Sequence, residues 1–337
     1  METKTALITG ITGQDGRLLA RLLKSKGYDV SGLIRKAVNR NPETMEDGVN
    51  YIYGDVRDAR TIHEILSPPR TFYDEIYHLA AQSDVAYSFE HPQETYDINI
   101  NGTLNVLNAV RGKAGITKLY FAASSEMFGQ PPTMPQNEEY PMKPKSPYAV
   151  SKLAGYWSTR CYREAYKVQA RCGILYNHES ELRGQNFVTR KITKGIAKYL
   201  KDGTSFSLGN IDARKDWGYA PEYVEGMWRI MQSEDDTDYV LATNKQHTVR
   251  EFMNTALDMA GINWAMISKK NTDPIGSGWY DLKNKRLICD VKQDLYRPAE
   301  ADNYKGDASK AYNELDWLPK VDFNSLVNIM MEHDLNE

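Results

Sequence analysis

Short apolar runs alternate with amphipathic segments along the first half of the chain. The apolar runs, rich in residues typical of strands, cover residues 5–9, 29–34, 50–53, 75–78, 118–122 and 169–175. Helical patterns separate them, over residues 15–26, 58–66 and 92–110, and from Pro147 to about residue 166. This alternation is typical of a parallel sheet with helices on both faces. We therefore predict an α/β fold, a doubly wound Rossmann sheet of at least six strands.

The regular alternation ends after Asn177, where polar segments containing glycine lie between shorter helical patterns. No linker rich in Pro, Gly and Ser separates the two halves of the chain. Ligands of open α/β sheets bind beyond the carboxyl ends of the strands, where a second region can cover them. We predict a Rossmann domain over residues 1–177, to which segments near 216–245 return, and a smaller, mixed α/β substrate-binding domain over residues 178–337.

Composition and charge exclude several classes of partner. The chain has 337 residues, with 42 Lys and Arg against 45 Asp and Glu and a net charge of −3. The cations are spread along the chain, so we expect no basic surface for nucleic acid. No apolar stretch approaches the roughly 18 residues that a membrane span needs, and the N-terminal residues run directly into the first strand. We expect a cytoplasmic protein without a membrane partner.

The three cysteines give no sign of a disulfide framework or a metal site. Cys161, Cys172 and Cys289 are an odd number and show no C-x-x-C spacing. This usage is typical of reduced thiols in a cytosolic protein. We expect all three thiols to be buried and structural, and we predict no bound metal.

A glycine-rich loop joins the first strand to the first helix. It contains Gly10, Thr12, Gly13, Gln14, Asp15 and Gly16. Glycines in such a loop permit a tight turn and close approach of the backbone to a pyrophosphate, which the helix N-terminus then faces. Because the loop follows the first strand of a βαβ unit, we predict a dinucleotide site. A plain turn between strand and helix is the alternative.

The end of the second strand bears on the choice between NAD and NADP. NAD sites usually have Asp or Glu there to bind the ribose 2′-hydroxyl, but this strand ends in Arg35 and Lys36. Two cations suit a 2′-phosphate, so we predict NADP, the alternative being a solvated strand end. Asp55 and Val56, which follow the third strand, are predicted to meet the adenine.

Tyr148 and Lys152 are spaced so that both side chains lie on one face of a helix. A nearby ammonium and a nicotinamide cation both favour phenolate, so we expect the pKa of Tyr148 to fall from about 10 towards neutrality. The tyrosine can then act as a general base. The Y-x-x-x-K spacing alone is common by chance. Its position at the start of the helix before the sixth strand makes it a strong indication of a catalytic pair.

Ser124 and Glu126 follow the fifth strand, at the edge of the sheet that faces the cofactor crevice. A simple dehydrogenase needs only the hydroxyl there. Removal of a proton next to a carbonyl requires a second base besides the tyrosine, which Glu126 can provide. An ordinary loop carboxylate is the alternative interpretation.

These residues carry a resemblance to the extended short-chain dehydrogenases, and further motifs resemble the GDP-mannose 4,6-dehydratase family among them. Leu79-Ala80-Ala81-Gln82-Ser83 is a further motif of the extended short-chain dehydrogenases. The motifs of the closer family are Asn177-His178-Glu179-Ser180, Phe187-Val188-Thr189-Arg190-Lys191, Asp216-Trp217-Gly218, Arg297-Pro298-Ala299-Glu300 and Gly306-Asp307. The resemblance covers nearly the whole chain. It implies NADP as cofactor and conversion of GDP-mannose to GDP-4-keto-6-deoxymannose by internal hydride transfer and loss of water.

The resemblance also implies roles for particular residues. Ser124 stands where the family has Thr, Glu126 is the base at C5, and Tyr148 and Lys152 are the redox pair. Further cofactor contacts fall on Leu79, Ala80, Ala81, Ser83, His178 and Arg183. Contacts with the nucleotide sugar fall on Ser83, Ser88, Asn177, Val188, Lys191, Arg214, Lys215, Arg297 and Glu300.

Departures from the family pattern leave alternatives open. Glu94 replaces a usual Tyr, Lys215 replaces an Arg whose role Arg214 is expected to take, and Glu181-Leu182 replaces Pro-Arg. Segment 36–49 is shorter than the corresponding loop of the family, and a homodimer and a homotetramer are both compatible with it. Alternative functions are dehydration of another GDP-sugar such as GDP-manno-heptose, reduction or epimerisation of a nucleotide sugar, and non-catalytic NADP binding.

Overall fold

A computed structural model describes residues 3–35, 44–66, 72–113, 115–130, 132–268, 274–296 and 304–337. Its strands are β1 (Thr5–Thr9), β2 (Asp29–Ile34), β3 (Asn50–Tyr53), β4 (Glu75–His78), β5 (Lys118–Ser124), β6 (Gln169–Leu175), β7 (Asn177–Glu179), β8 (Phe206–Leu208), β9 (Arg214–Lys215), β10 (Trp217–Tyr219), β11 (Asp238–Leu241), β12 (His247–Thr248), β13 (Trp264–Ile267), β14 (Gly278–Asp281) and β15 (Arg286–Val291).

The helices are α1 (Gln14–Ser25), α2 (Ala59–Ile65), α3 (Val85–Glu90), α4 (Pro92–Tyr96), α5 (Gly102–Arg111), α6 (Pro147–Tyr166), α7 (Val188–Asp202), α8 (Ala220–Gln232), α9 (Val249–Met259), α10 (Ser309–Leu315) and α11 (Phe323–Asn336). A π-helical turn, Asp97–Asn101, joins α4 to α5, so the helix predicted over residues 92–110 is continuous but locally underwound by one wider turn.

The central sheet has seven strands in the order β11-β6-β5-β4-β1-β2-β3. Every adjacent pair is parallel. The predicted doubly wound Rossmann fold is therefore confirmed. The strand order reverses between β4 and β1, and in open α/β sheets this reversal opens a crevice at the carboxyl ends of the strands.

Apolar side chains on both faces of the sheet hold the helices in place. On one face, α1 packs against α8 through buried residues such as Leu19 and Met227. On the other face, α2 packs against α5 through residues such as Ile62 and Val106. Burial of this kind contributes about 25 cal/mol per Å² of apolar surface removed from water. The carboxyl edge of the sheet is left open between the two helical layers.

The later part of the chain builds a second apolar core beside this edge. A four-stranded sheet, in the order β13-β14-β15-β8, packs with α7, α9 and α11 around buried residues such as Ile196, Phe252 and Trp279. Two small two-stranded sheets, β10-β7 and β12-β9, carry residues from this part of the chain towards the crevice. Among the described residues, none of the helices combines the length and apolar character needed to cross a bilayer.

The expectation that all three thiols are buried is wrong for Cys161. Cys172 and Cys289 are buried, whereas Cys161 is exposed on α6. Cys172 lies on the sixth strand of the sheet, where both faces are covered. Cys161 occupies the outer face of its helix, so helical periodicity rather than residue type decides its exposure.

Candidate active site

A cavity of about 1360 Å³ lies at the carboxyl edge of the central sheet. Loops that follow six of the seven parallel strands form one wall, and segments from the later part of the chain form the other. The predicted residues that line the cavity are Gly10, Thr12, Gly13, Gln14, Asp15, Gly16, Arg35, Asp55, Val56, Leu79, Ala80, Ala81, Ser83, Ser124, Glu126, Tyr148, Lys152, Asn177, His178, Arg183, Val188, Lys191 and Lys215. The fold therefore brings most of the predicted site together.

The glycine-rich loop needs its glycines for steric reasons. Gly10 has φ +75°, and a Cβ there would lie 2.7 Å from the backbone N of Ala80. A Cβ on Gly16 would lie 2.4 Å from the carbonyl O of Gly10. Gly13 precedes α1 without a side chain to cap it, so the first N–H groups of the helix face the cavity. This cradle fits the pyrophosphate of a dinucleotide.

Cations surround the position at which the adenosine end of a dinucleotide would lie. Arg35 is exposed at the end of β2. The Arg57 guanidinium binds both carboxylate oxygens of Asp55, at 3.1 and 2.8 Å, and this contact lowers the pKa of Asp55. The Asp55 carboxylate, which was predicted to meet the adenine, thus already binds Arg57. Arg57 was not among the residues predicted from the sequence.

Tyr148 and Lys152 lie together on the first turns of α6, as their spacing predicts. Pro147 starts the helix, and the Ser146 hydroxyl caps it by accepting a hydrogen bond from Ala149 N at 3.0 Å. The Lys152 ammonium donates to the carbonyl O of Ala122 at 2.9 Å and lies 6.0 Å from the centre of the Tyr148 ring.

The surroundings of Tyr148 in the folded chain raise its pKa rather than lower it. Burial raises the pKa of Tyr148 to about 12, and a hydrogen bond with Ser124 only partly opposes this. Burial also lowers the pKa of Lys152 to about 8. The lysine is directed at a backbone carbonyl, and at this distance its charge does not offset the desolvation of the phenolate. The chain without its cofactor therefore does not lower the pKa of Tyr148. The lowering expected from a nicotinamide cation stays a prediction.

Ser124 and Glu126 lie at the start of a 3-10 turn, Ser125–Phe128, that follows β5. The Ser124 Oγ caps the turn by accepting a hydrogen bond from Glu126 N at 3.3 Å. Its proton remains available for the phenol oxygen of Tyr148, whose pKa the Ser124 hydroxyl lowers. The Ser124 hydroxyl, the Tyr148 phenol and the half-buried Glu126 carboxylate thus lie in the same part of the cavity wall.

Four predicted substrate residues are not placed in the cavity. Ser88 is buried in α3, where its hydroxyl donates to the carbonyl O of Val85 at 2.7 Å, and it is not part of the wall that the described residues form. Arg214 is exposed outside that wall, whereas Lys215 lines it. On an extended strand neighbouring side chains point to opposite faces, so only one of this pair can face the cavity. Arg297 and Glu300 lie outside the described residues.

The cavity wall also contains residues that were not predicted from the sequence. Examples are Tyr87, Asn186, Asn210 and Tyr296. They come from loops or short helices with no shared spacing, so the sequence carries no signal for their convergence. Arg183, which was predicted, is held by two neighbours: its Nε lies 3.0 Å from Glu179 Oε2 and its guanidinium 3.6 Å from the centre of the Phe187 ring.

Comparison with known proteins identifies the family. The family model described as GDP-mannose 4,6 dehydratase matches residues 7–330. GDP-mannose 4,6 dehydratase 1 of Arabidopsis thaliana is 45% identical over 351 residues, covering 98% of this chain and 90% of its own length. GDP-mannose 4,6 dehydratase of Homo sapiens is 41% identical over 346 residues, covering 98% of this chain and 91% of its own length. The crystal structure of UDP-glucose 4-epimerase from Thermus thermophilus, in complex with NAD, shares the fold, with a TM-score of 0.82 at 23% identity over 98% of each chain. The resemblance predicted from the motifs is confirmed, and the chain belongs to the GDP-mannose 4,6-dehydratase family.

Proposed function

We propose that the chain converts GDP-mannose to GDP-4-keto-6-deoxymannose, with NADP as its hydride carrier. The observation that carries the proposal is the meeting of Ser124, Glu126, Tyr148 and Lys152 in one wall of a cavity whose other end is the glycine cradle. A redox pair alone serves a dehydrogenase. The added carboxylate provides the second base that elimination requires. Membership of the family supports the same reaction.

Each residue has a distinct part in this reaction. Tyr148 removes the proton from O4 of the sugar while Ser124 holds that oxygen. A nicotinamide held by the glycine-rich loop would supply the acceptor for the C4 hydride and the donor of hydride to C6. The keto group at C4 acidifies C5, and Glu126 removes the C5 proton and passes it to the C6 hydroxyl, which leaves as water. When hydride reaches C6, C5 takes a proton from solvent, and the proton that Tyr148 took from O4 is released to solvent. Lys152 supplies a positive charge beside the phenol and a fixed hydrogen bond to Ala122 O.

The choice of NADP rests on the surroundings of the adenosine end. Arg35, at the end of β2, is an exposed cation in the cavity wall, where NAD-binding sites usually carry a carboxylate. A guanidinium binds a phosphate through paired, charge-assisted hydrogen bonds. The nearest carboxylate after β3, Asp55, is paired with Arg57 and so does not repel a 2′-phosphate.

The opposite wall is suited to a nucleotide sugar. Lys191 on α7 and Lys215 on β9 both line the cavity and provide cations for a diphosphate. Asn177 and Val188 also line the cavity. These four residues, together with Ser83, form our proposed substrate site.

We also propose that the chain forms a homo-oligomer through the outer face of α6. Val150, Trp157 and Cys161 are exposed along this face, and Trp157 is 50% exposed. Leu153 and Ala154 are half-buried between them. Exposed apolar side chains spaced by helical turns form a continuous stripe, and a second copy of the same helix can cover it.

A product assay tests the proposed function directly. The purified protein is incubated separately with GDP-mannose and with GDP-manno-heptose, and the products are identified by mass spectrometry and NMR. We expect loss of water from GDP-mannose and a 4-keto-6-deoxy sugar. A product from the heptose alone would reassign the substrate, and the absence of dehydrated product from both would overturn the proposal.

A further inference from the structure

Tyr304 touches the proposed C5 base from behind the cavity. Its side chain is fully buried, and its hydroxyl donates a hydrogen bond to Glu126 Oε2 at 3.0 Å. The backbone on either side of the ring is anchored: Tyr304 N donates to Arg214 O at 3.4 Å, and Gln246 Nε2 donates to Tyr304 O at 2.6 Å. The hydroxyl is therefore presented to the carboxylate by a fixed ring.

Lys215 lies on the face of the same ring. Its ammonium is 4.7 Å from the centre of the Tyr304 ring, within the range of a cation–π interaction. Tyr304 thus contacts the Glu126 carboxylate through its hydroxyl and the Lys215 ammonium through the face of its ring. A cation over the ring withdraws electron density from it and strengthens the hydroxyl as a donor.

We infer that Tyr304 is a positioning residue for Glu126. The hydrogen bond holds Oε2 away from the substrate and leaves Oε1 to meet the C5 proton. Without it, rotation about the terminal torsion of the glutamate spreads the carboxylate over several orientations, because that torsion is broad. Proton abstraction depends on the distance and alignment of the base, so this loss of order slows that step alone. The inference rests on the proposed function, in which Glu126 is the base.

The chain offers a matched control for removing this hydroxyl. Tyr239 is also buried, its hydroxyl donates to the Glu314 carboxylate at 2.9 Å, and the Lys310 ammonium lies 4.6 Å from its ring centre. Tyr304→Phe and Tyr239→Phe therefore remove the same kind of bond. They differ in that only the first bond ends on a residue of the catalytic site.

The test is single turnover of GDP-mannose with the NADP-loaded enzyme, followed by NADPH absorbance and by deuterium at C5 in D₂O. In Tyr304→Phe we expect NADPH to form at the wild-type rate, whereas its consumption and the incorporation of deuterium slow by about 10- to 100-fold. Tyr239→Phe should match wild type in both phases, with a similar change in melting temperature. A Tyr304→Phe variant that slows both phases equally, or neither, would overturn the inference.

A double variant, Tyr304→Phe in Glu126→Gln, distinguishes a positioning role of Tyr304 from a general loss of structure. In Glu126→Gln the base is gone, so adding Tyr304→Phe should cause no further slowing of the elimination phase. Full additivity of the two changes would contradict the inference. If the wild-type enzyme itself yields no dehydrated product, the proposed function fails. If it does and Tyr304→Phe behaves like wild type, only the role of Tyr304 fails.

Discussion

The imidazole of His178 links the cofactor cradle to the second wall of the cavity through Asp15. Its Nε2 lies 2.9 Å from Asp15 Oδ2, and its Nδ1 lies 2.7 Å from the carbonyl O of Tyr176. Both ring nitrogens face acceptors, so both must donate, which requires the imidazolium form. Burial by itself would lower the pKa of His178, but the Asp15 carboxylate raises it overall; in turn, His178 overcomes the burial of Asp15 and lowers its pKa to about 2.

This ion pair predicts a pH window of stability. The pKa of His178 lies above its ordinary 6.5, so the stabilisation is complete below that pH and is lost as the pH rises through the folded-state pKa. The pKa of Asp15, about 2, lies below its ordinary 3.8, so the stabilisation is complete above 3.8 and is lost as the pH falls towards 2. We expect His178→Asn to lower the free energy of unfolding by about 1–3 kcal/mol near pH 5, and by less as the pH rises above 6.5.

Urea denaturation of the cofactor-free protein across this pH range measures the effect. His63→Asn, on the exposed side of α2, is the control and should change stability little at any pH. A destabilisation of His178→Asn that is the same at every pH would show that the pair is not ionic.

Arg35 is expected to discriminate between the two cofactors. Arg35→Ala removes a guanidinium that can meet only the 2′-phosphate, so the binding free energy of NADP should weaken by about 1.5–3 kcal/mol while that of NAD changes little. Titration calorimetry with each cofactor measures this. Arg60→Ala, which removes an exposed arginine paired with Glu64 on α2, is the control. Equal weakening of both cofactors would remove the argument for NADP.

Local spacing made part of the site predictable. Gly10 and Gly16 lie in one loop, and Tyr148 and Lys152 lie one helical turn apart, so chain geometry alone places each pair. Glu126 and Tyr304 are 178 residues apart, so no sequence spacing predicts their contact. The contact of Asp55 with Arg57 could not be predicted either, since many cations follow a carboxylate by two residues without binding it. The raised pKa of Tyr148 in the chain alone could not be predicted either, because burial, which opposes a phenolate, depends on the folded packing around it.

Trp157 tests the proposed interface between copies. Trp157→Glu places a charge in the middle of the exposed stripe of α6, where a partner helix would have to bury it. We expect this variant to run as a monomer in size-exclusion chromatography with light scattering, with helix content unchanged. Tyr312→Glu changes another exposed aromatic residue, on α10, and should leave the assembly intact. A monomeric wild-type protein, or an oligomeric Trp157→Glu variant, would place the interface elsewhere or exclude it.

Tyr148 is expected to control the first hydride transfer. Tyr148→Phe removes the proton acceptor for O4, so NADPH formation in a single turnover should slow by about 10²- to 10⁴-fold. Because burial raises the pKa of Tyr148, the phenol of the chain alone is protonated at neutral pH, and the wild-type rate should increase with pH. The residual rate of Tyr148→Phe should not. Tyr162→Phe, on the same helix, loses a hydroxyl bonded to Asn108 at 2.6 Å and should retain full activity.

Glu126 separates a dehydratase from a plain dehydrogenase, and its substitution gives the sharpest test of the mechanism. Glu126→Gln keeps the size of the side chain and removes the base, so oxidation at C4 should proceed while removal of the C5 proton slows by about 10²- to 10⁴-fold. The variant should accumulate bound NADPH together with a 4-keto sugar that retains its C6 hydroxyl, and C5 should take up little deuterium from D₂O. Absorbance follows the bound NADPH, and rapid-quench mass spectrometry follows the 4-keto sugar and its deuterium content. Glu139→Gln, an exposed carboxylate outside the cavity wall of the described residues, is the control and should behave as wild type. Dehydration at the native rate, or a block before any NADPH forms, would mean that another group removes the C5 proton.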